Sequence, residues 1–398
     1  MPPNLHSVIG PSSADRWLHC VGSVRLGEKF RERFGDKSSP FAEEGTKAHE
    51  LAEMKLRREI GEINDFTFRE MKKVLEASKP DLDWKRLDWA TNVYVDAVMS
   101  AYYAAKKDCP DAQLVIEQRY DMSRWAKGCF GTGDAAVVSD KVLHVFDYKN
   151  GSGVPVSAIE NPQARLYGLG AVNEFGDIYG FEKVFNTIVQ PNLNSITTEE
   201  LTRADLIAWG ESISETARKA WEGVEEYAAG DWCRFCPARA LCYHRAVQAM
   251  SVFRGGLENP GAIPDSEIPK ILECADIAEA WIKDIRDYAR AQALKGQHYP
   301  GFKLVAGRRP PRKWTDANAV IDQMSRAGYT DEQIYKPREL ITVGEAEKLM
   351  GKPAFRAILG QFSVQGDGAP TLVPESDKRL SITSGDAVFA DLIEKEIT

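Results

Sequence analysis

No apolar run in this 398-residue chain approaches the roughly 20 residues that span a bilayer, which argues against a membrane association through helices. The N-terminal stretch "MPPNLHSVIGPSSADRW" lacks the basic and apolar regions of a secretory signal, so a cytoplasmic protein is expected. Positive charge is not in excess. The formal net charge is −8, which argues against a general nucleic-acid coat but leaves room for a local basic cleft, because a field follows the distribution of charge as well as its sum. No G-x-x-x-x-G-K-[ST] pattern occurs, so the chain carries no helicase motor of its own. No internal repeat is visible. What remains, 43% hydrophobic and 28% charged residues, fits a globular protein of one large domain or two.

Apolar residues at 3-and-4 spacing predict helices over "EEGTKAHELAEMKLRREIG", from Leu87 to Lys107, over "NPQARLYGLGAVNEFG", from Thr198 to Gly230, and over "PDSEIPKILECADIAEAWIKDIRDYARAQALKG". Short β-type runs, "QLVIEQRY", "GTGDAAVVS", "VLHVFDYK" and "KVFNTIVQP", lie between them. Helices, a strand meander, a helix, a strand and a helix in that order predict a mixed α/β layer architecture. Three segments are expected: 1–245, a mainly helical extension over 246–364, and a loose Gly-, Pro- and Ser-rich linker with a short terminal helix over 365–398.

In "VLHVFDYKNG" an apolar strand carries Asp147 and Lys149 on one face, together with Leu143 and Val145. Charge on an apolar face requires partners. The "SDK" turn folds this strand back on "GTGDAAVV" and brings Asp134 near Asp147 across the ladder. Two close carboxylates favour a hard divalent cation, Mg²⁺ or Mn²⁺. Glu117 is a third carboxylate candidate, and His49 in "GTKAH" an imidazole candidate. Such a centre can hydrolyse phosphodiesters, with Lys149 beside the metal as a non-ligand cation.

In this order the motifs "GTKAH", "GTGD", "FDYK" and "QARLY" resemble the PD-(D/E)XK nuclease superfamily in its RecB-like branch. The resemblance implies a restriction-endonuclease-like α/β core, a mixed central sheet flanked by helices, with a helical N-terminal region and a C-terminal extension. It implies His49, Asp134, Asp147 and the carbonyl of Tyr148 as metal ligands and Lys149 as catalytic, with Gln163 and Tyr167 bracing the site or touching DNA. The implied activity is that of a DNA exonuclease in phage recombination or replication, acting on single strands or duplex ends, with a recombination or single-strand-binding protein as partner. A non-catalytic nucleic-acid-binding or scaffold protein that retains the fold is the alternative.

Cys233, Cys236 and Cys242 in "CRFCPARALC" have C-x2-C-x5-C spacing, which in a reducing compartment points to zinc or an iron–sulfur cluster. Cys20 is the obvious fourth ligand. Cys109, Cys129 and Cys274 stand apart as ordinary residues. One early cysteine and this late triplet resemble the iron–sulfur subgroup of RecB-like nucleases. That implies a [4Fe–4S] cluster stapling the two ends of the nuclease fold, with Zn²⁺ the alternative. Val21 departs from the proline that often follows the first cysteine there. Finally, "GRRPPRKW" is the densest basic stretch. It reads either as an arm in which Arg308, Arg309, Arg312 and Lys313 grip phosphates and Trp314 stacks a base, or as a solvated loop.

Overall fold

Alternating apolar and polar residues over 113–148 and 183–202 build one five-stranded sheet. The computed structural model of the chain describes residues 7–35, 40–254, 268–336, 339–364, 366, 368, 371–374, 379 and 381. Five helices precede the sheet: α1 (Ala14–His19), α2 (Ser23–Phe34), α3 (Pro40–Glu59), α4 (Asp65–Ser78) and α5 (Trp84–Asp108). The strands β1 (Gln113–Asp121), β2 (Phe130–Val138), β3 (Val142–Tyr148), β4 (Lys183–Gln190) and β5 (Ser195–Thr202) lie side by side in chain order. All neighbours are antiparallel except β3 and β4, which are parallel. A parallel step needs a crossover, and α6 (Pro162–Phe175) provides it. α7 (Arg203–Glu222) and α8 (Tyr243–Arg254) follow. The fold is α/β, a mixed central sheet flanked by helices.

Each face of the sheet buries its own core. On one face, Trp17 of α1, Leu166 and Leu169 of α6 and Leu206 of α7 cluster with Ala136, Val138, Leu143 and Val145. On the other, Leu51 of α3 and Leu87 and Val98 of α5 cluster with Ala135, Val137, Phe146 and Val189. Alternation along β2 and β3 sends successive side chains to opposite cores. The turn between these strands is the tight one expected, closed by Ser139 N donating to Val142 O at 3.0 Å.

The predicted helix over Thr198–Gly230 is shorter than its periodicity suggested. Thr198–Thr202 belong to β5, paired with β4. The Thr202 hydroxyl then accepts from Asp205 N and caps α7. Gly223, at φ 79°, ends that helix in a left-handed turn, seven residues before Gly230.

The chain divides into units Met1–Ala275 and Asp276–Thr398, and α9 (Ile268–Ala293) crosses that boundary. The second unit contains β6 (Phe302–Val305), β7 (Lys313–Trp314), α10 (Ala317–Arg326), α11 (Asp331–Ile334), β8 (Tyr335–Lys336), β9 (Glu339–Leu340), α12 (Val343–Met350), α13 (Lys352–Ile358), β10 (Ser363–Val364) and β11 (Thr371–Pro374). Its core gathers Val320, Met324, Ile334, Val343 and Phe355. Residues 371–374, placed in a loose linker on composition, pair with β6 instead, in keeping with their apolar and β-branched sequence. Most of the remaining residues of that linker, the terminal helix and the Cys274 side chain lie outside the described residues. None of the helices described is long and apolar enough to cross a membrane.

β3 also carries a polar group that burial keeps neutral. The His144 ring stacks on Phe146 at 4.0 Å, and its Nε2 lies 2.7 Å from Thr187 Oγ1. Burial pushes its pKa down from 6.5 to about 4. Below pH 6.5 the unfolded imidazole takes a proton that the folded one refuses until near pH 4, so the unfolded state binds more protons in this window and stability falls as the pH is lowered through it. His144→Gln should flatten the decline in unfolding free energy across this window, by about 3 kcal/mol at most. Urea titrations at several pH values measure this, and parallel wild-type and variant profiles would refute the assignment.

Candidate functional site

The candidate site forms where β1 and β2 change faces. Leu114 and Ile116 pack on the α3 and α5 side, whereas Tyr120, of the same parity, lies in the opposite core. On β2, Ala135 and Val137 face α3 and α5, but a Cβ on Gly133 would meet the Tyr120 ring at 2.8 Å, and one on Gly131 would crowd Tyr167 and Pro11. The "GTGD" glycines therefore make room for two tyrosines. Between these stretches one step of the ladder is missing: Ile116 pairs with Ala135 and Gln118 with Gly133. Glu117 and Asp134 face each other at that gap, and Glu117 has φ 50°. A left-handed backbone at a glutamate costs about 1–2 kcal/mol. It reverses the strand and turns two carboxylates toward the same space.

His49 reaches this space from α3, its Nδ1 3.2 Å from Asp134 Oδ1. The other Asp134 oxygen accepts from Tyr148 N at 2.7 Å. Ligand atoms of His49, Glu117 and Asp134 all lie within 4.8 Å of one another. Burial works against charge on the His49 ring, but Asp134 and Asp147 outweigh it and raise the pKa to about 8. Burial, then repulsion from Asp134, lifts Glu117 to about 7. Burial would also raise Asp134, yet His49, the Tyr148 N–H and Lys149 hold it below its ordinary value. Oxygen and imidazole donors of this kind suit Mg²⁺ or Mn²⁺.

Beside this trio lies a closed polar triangle on the α6 side. Lys149 Nζ sits 2.8 Å from Asp147 Oδ2 and donates to Gln163 Oε1 at 3.1 Å, while Gln163 Nε2 donates to Asp147 Oδ1 at 3.1 Å. Asp147 Oδ2 is buried and receives no in-line hydrogen bond. Burial raises the Asp147 pKa and Asp134 adds to it, with Lys149 opposing. The two aspartates, one step beyond the paired residues Ala135 and Phe146, are thus driven apart in acidity. α6 is fixed for this task by Arg165, which grips Glu199 of β5 with Nε at 3.0 Å and Nη2 at 2.5 Å.

Glu117 is part of the trio, although the family resemblance did not include it among the ligands. Asp147 is engaged by Lys149 and Gln163. Tyr148 contributes its N–H to Asp134, its ring to a contact with His49 at 5.3 Å, and its hydroxyl to Asn150 Oδ1 at 3.1 Å. Tyr167 is buried against Gly131 and Gly133. Tyr94 of α5 lies 5.1 Å from the Tyr148 ring and is 1% exposed, and its hydroxyl has no hydrogen-bond partner among the described residues. Such an orphan costs about 1–3 kcal/mol.

Cys20, Cys233, Cys236 and Cys242 line one small pocket with Arg16, Tyr227 and Trp232. α1 packs against α7 and the Asp231–Phe235 turn, which brings the early cysteine to the late ones. Burial raises the Cys233 and Cys236 thiols.

The basic stretch belongs to the second unit, where Trp314 is not an open stacking face. Its Nε1 donates to Ile341 O at 3.0 Å, and its ring packs against Phe355 and the unit's core. Arg312 pairs with Glu347 and lies over Phe355. Arg308, Arg309 and Lys313 are exposed.

The strain at Glu117 has a measurable consequence. Glu117→Gly should stabilise the metal-free protein by about 1 kcal/mol, because glycine adopts positive φ without penalty and the repelled carboxylate is gone. Urea denaturation in EDTA checks this; a less stable variant would mean that the carboxylate, rather than the backbone, dominates. The chain belongs to the family described as "Protein of unknown function (DUF2800)", whose model matches residues 6–380.

Proposed function

We propose that the chain is a metal-dependent deoxyribonuclease of the PD-(D/E)XK type, an exonuclease hydrolysing phosphodiester bonds in DNA. The observation that carries this reading is the adjacency of two groupings: a His49–Glu117–Asp134 trio with ligand atoms within 4.8 Å, and the Asp147–Lys149–Gln163 triangle beside it. The donor set fits a hard divalent cation, which the trio would hold together with Asp147. Such a cation, when bound, polarises a phosphate and acidifies a water.

The chain's own residues supply the rest. Asp147 and Gln163 hold the Lys149 ammonium in place, so its charge is preorganised where negative charge develops on the phosphate. Gln163 also blocks rotation of the Asp147 carboxylate, leaving Oδ2 directed at Lys149. Tyr167 braces β2 from α6. Phage recombination or replication, with a recombination or single-strand-binding partner, is the setting inferred from the resemblance to free-standing RecB-like proteins.

For the thiol pocket we infer a [4Fe–4S] cluster. Four cysteines lining one pocket match the ligand number of a cubane cluster or of zinc; the resemblance to the iron–sulfur subgroup favours the cluster, with zinc the alternative.

Asp134→Asn should weaken Mn²⁺ binding at least about tenfold, whereas Lys149→Ala should leave it nearly unchanged while cleavage of linear DNA falls by roughly 100-fold or more. Calorimetry and a chelator-controlled digestion separate these effects. Lys149→Ala cutting at the wild-type rate would refute the assignment, and DNA binding without cleavage would favour the scaffold alternative.

Protein purified without oxygen should be brown and carry iron and sulfide. Cys20→Ser should bleach it. Stoichiometric zinc without iron in such a preparation would replace the cluster assignment.

A further inference from the structure

The thiol pocket contains a cation with no carboxylate to balance it. Arg16 stands on α1 one helical turn before Cys20, whose N donates to Arg16 O at 2.9 Å, and both side chains line the pocket. Its Nη1 donates to Phe235 O at 3.2 Å, in the turn between Cys233 and Cys236. Arg16 therefore reaches from the early cysteine to the late ones. Its Nε is shielded from solvent and has no hydrogen-bond partner among the described residues. The groups acting on its charge are the Cys236 and Cys20 thiols and Arg31. Arg239 lines the same pocket, and no Asp or Glu does. A half-buried guanidinium beside neutral thiols is poorly compensated. Loading the pocket changes that. Four cysteine thiolates outweigh the double positive charge of zinc or of an oxidised cubane, so the group they hold is an anion. Such an anion supplies both the missing countercharge and a sulfur acceptor for the Arg16 Nε–H.

We propose that Arg16 is a positioning residue of the four-cysteine site, its guanidinium serving the bound metal–thiolate group as countercharge and as an N–H donor to sulfur. The inference rests on the reading of this pocket as a metal site and is independent of the nuclease reading. The pocket already holds one contact of the same kind, since Ala228 N donates to Cys20 Sγ at 3.4 Å. Net charge and hydrogen bonds to sulfur set the potential of an iron–sulfur cluster. A guanidinium beside a cubane favours its more negative, reduced form.

The test compares Arg16→Gln and Arg16→Lys with wild type in the full chain. Urea unfolding of the metal-free proteins should find Arg16→Gln at least as stable as wild type, because a guanidinium without a countercharge has been removed. With the site loaded, by iron and sulfide or by zinc, a competing chelator should strip Arg16→Gln about tenfold faster, the size of effect typical of partners that support metal ligands. Arg16→Lys keeps the charge, loses the Nε donor and should fall between. In a cubane the reduction equilibrium of Arg16→Gln should move about tenfold against the reduced form, a midpoint about 59 mV lower in a one-electron titration. Metal-free Arg16→Gln that unfolds more easily than wild type would make Arg16 a staple between α1 and the Cys233–Cys236 turn and overturn the inference. Equal rates of metal loss in wild type and Arg16→Gln would overturn the role of Arg16 while leaving the four-cysteine site intact. Wild-type protein that takes up neither iron nor zinc would overturn both the inference and the reading of the pocket on which it rests.

Discussion

Three carboxylates at one end of a sheet repel one another, and much of the surrounding structure is arranged to hold them there. Asp134 keeps its charge because one oxygen takes the Tyr148 N–H and the other faces His49. Asp147 is stabilised by Lys149, with Gln163 closing the triangle. Glu117 is weakened as an acid by burial first and by Asp134 second, with the charges of His49 and Arg57 opposing. The imbalance is local. Around it, both faces of the sheet are filled by conventional apolar cores whose burial offsets the strain and repulsion concentrated at one edge.

The change of faces at Glu117 and Asp134 explains how helices from opposite layers serve one site. A regular strand would commit both residues to a single face, accessible to α6 or to α3 but not to both. Here His49 arrives from α3 and Gln163 from α6, and their targets lie one step apart across β2 and β3. The glycines of "GTGD" are part of the same device. With side chains at Gly131 and Gly133, Tyr120 and Tyr167 could not close over the reversed strand.

Much of this was legible in the sequence. Period-2 alternation and a three-residue turn placed Asp134 opposite Asp147, and helical spacing located α3, α5 and α6. Orientations that depend on tertiary geometry were not legible, even at Glu117, which the sequence offered as a third carboxylate. Glu117 acquires its orientation from a left-handed φ that no residue type announces, since glutamate is an ordinary strand residue by composition. Tyr94 fits a helix's apolar stripe, and periodicity does not register that its hydroxyl is buried without a partner among the described residues. The Thr198–Thr202 segment satisfied a helical pattern but gained more from pairing with β4, a long-range contact outside any local window. Trp314 beside four basic residues suggested nucleic acid, until Ile341 and Phe355 supplied its partners.

The cysteine pocket shows the same dependence from the other direction. Spacing identified three thiols, and only the packing of α1 against α7 brings Cys20 to them across more than two hundred residues of chain. A group bound there would close a long loop, and cross-links of that kind remove most entropy from the unfolded chain. The same α1 contributes Trp17 to the core under α6, the helix that carries Gln163. Order in the thiol pocket and order in the Asp147–Lys149–Gln163 triangle therefore share one packed layer. Loosening α1 would reach the triangle through Trp17 and Leu166 without touching any residue that handles charge.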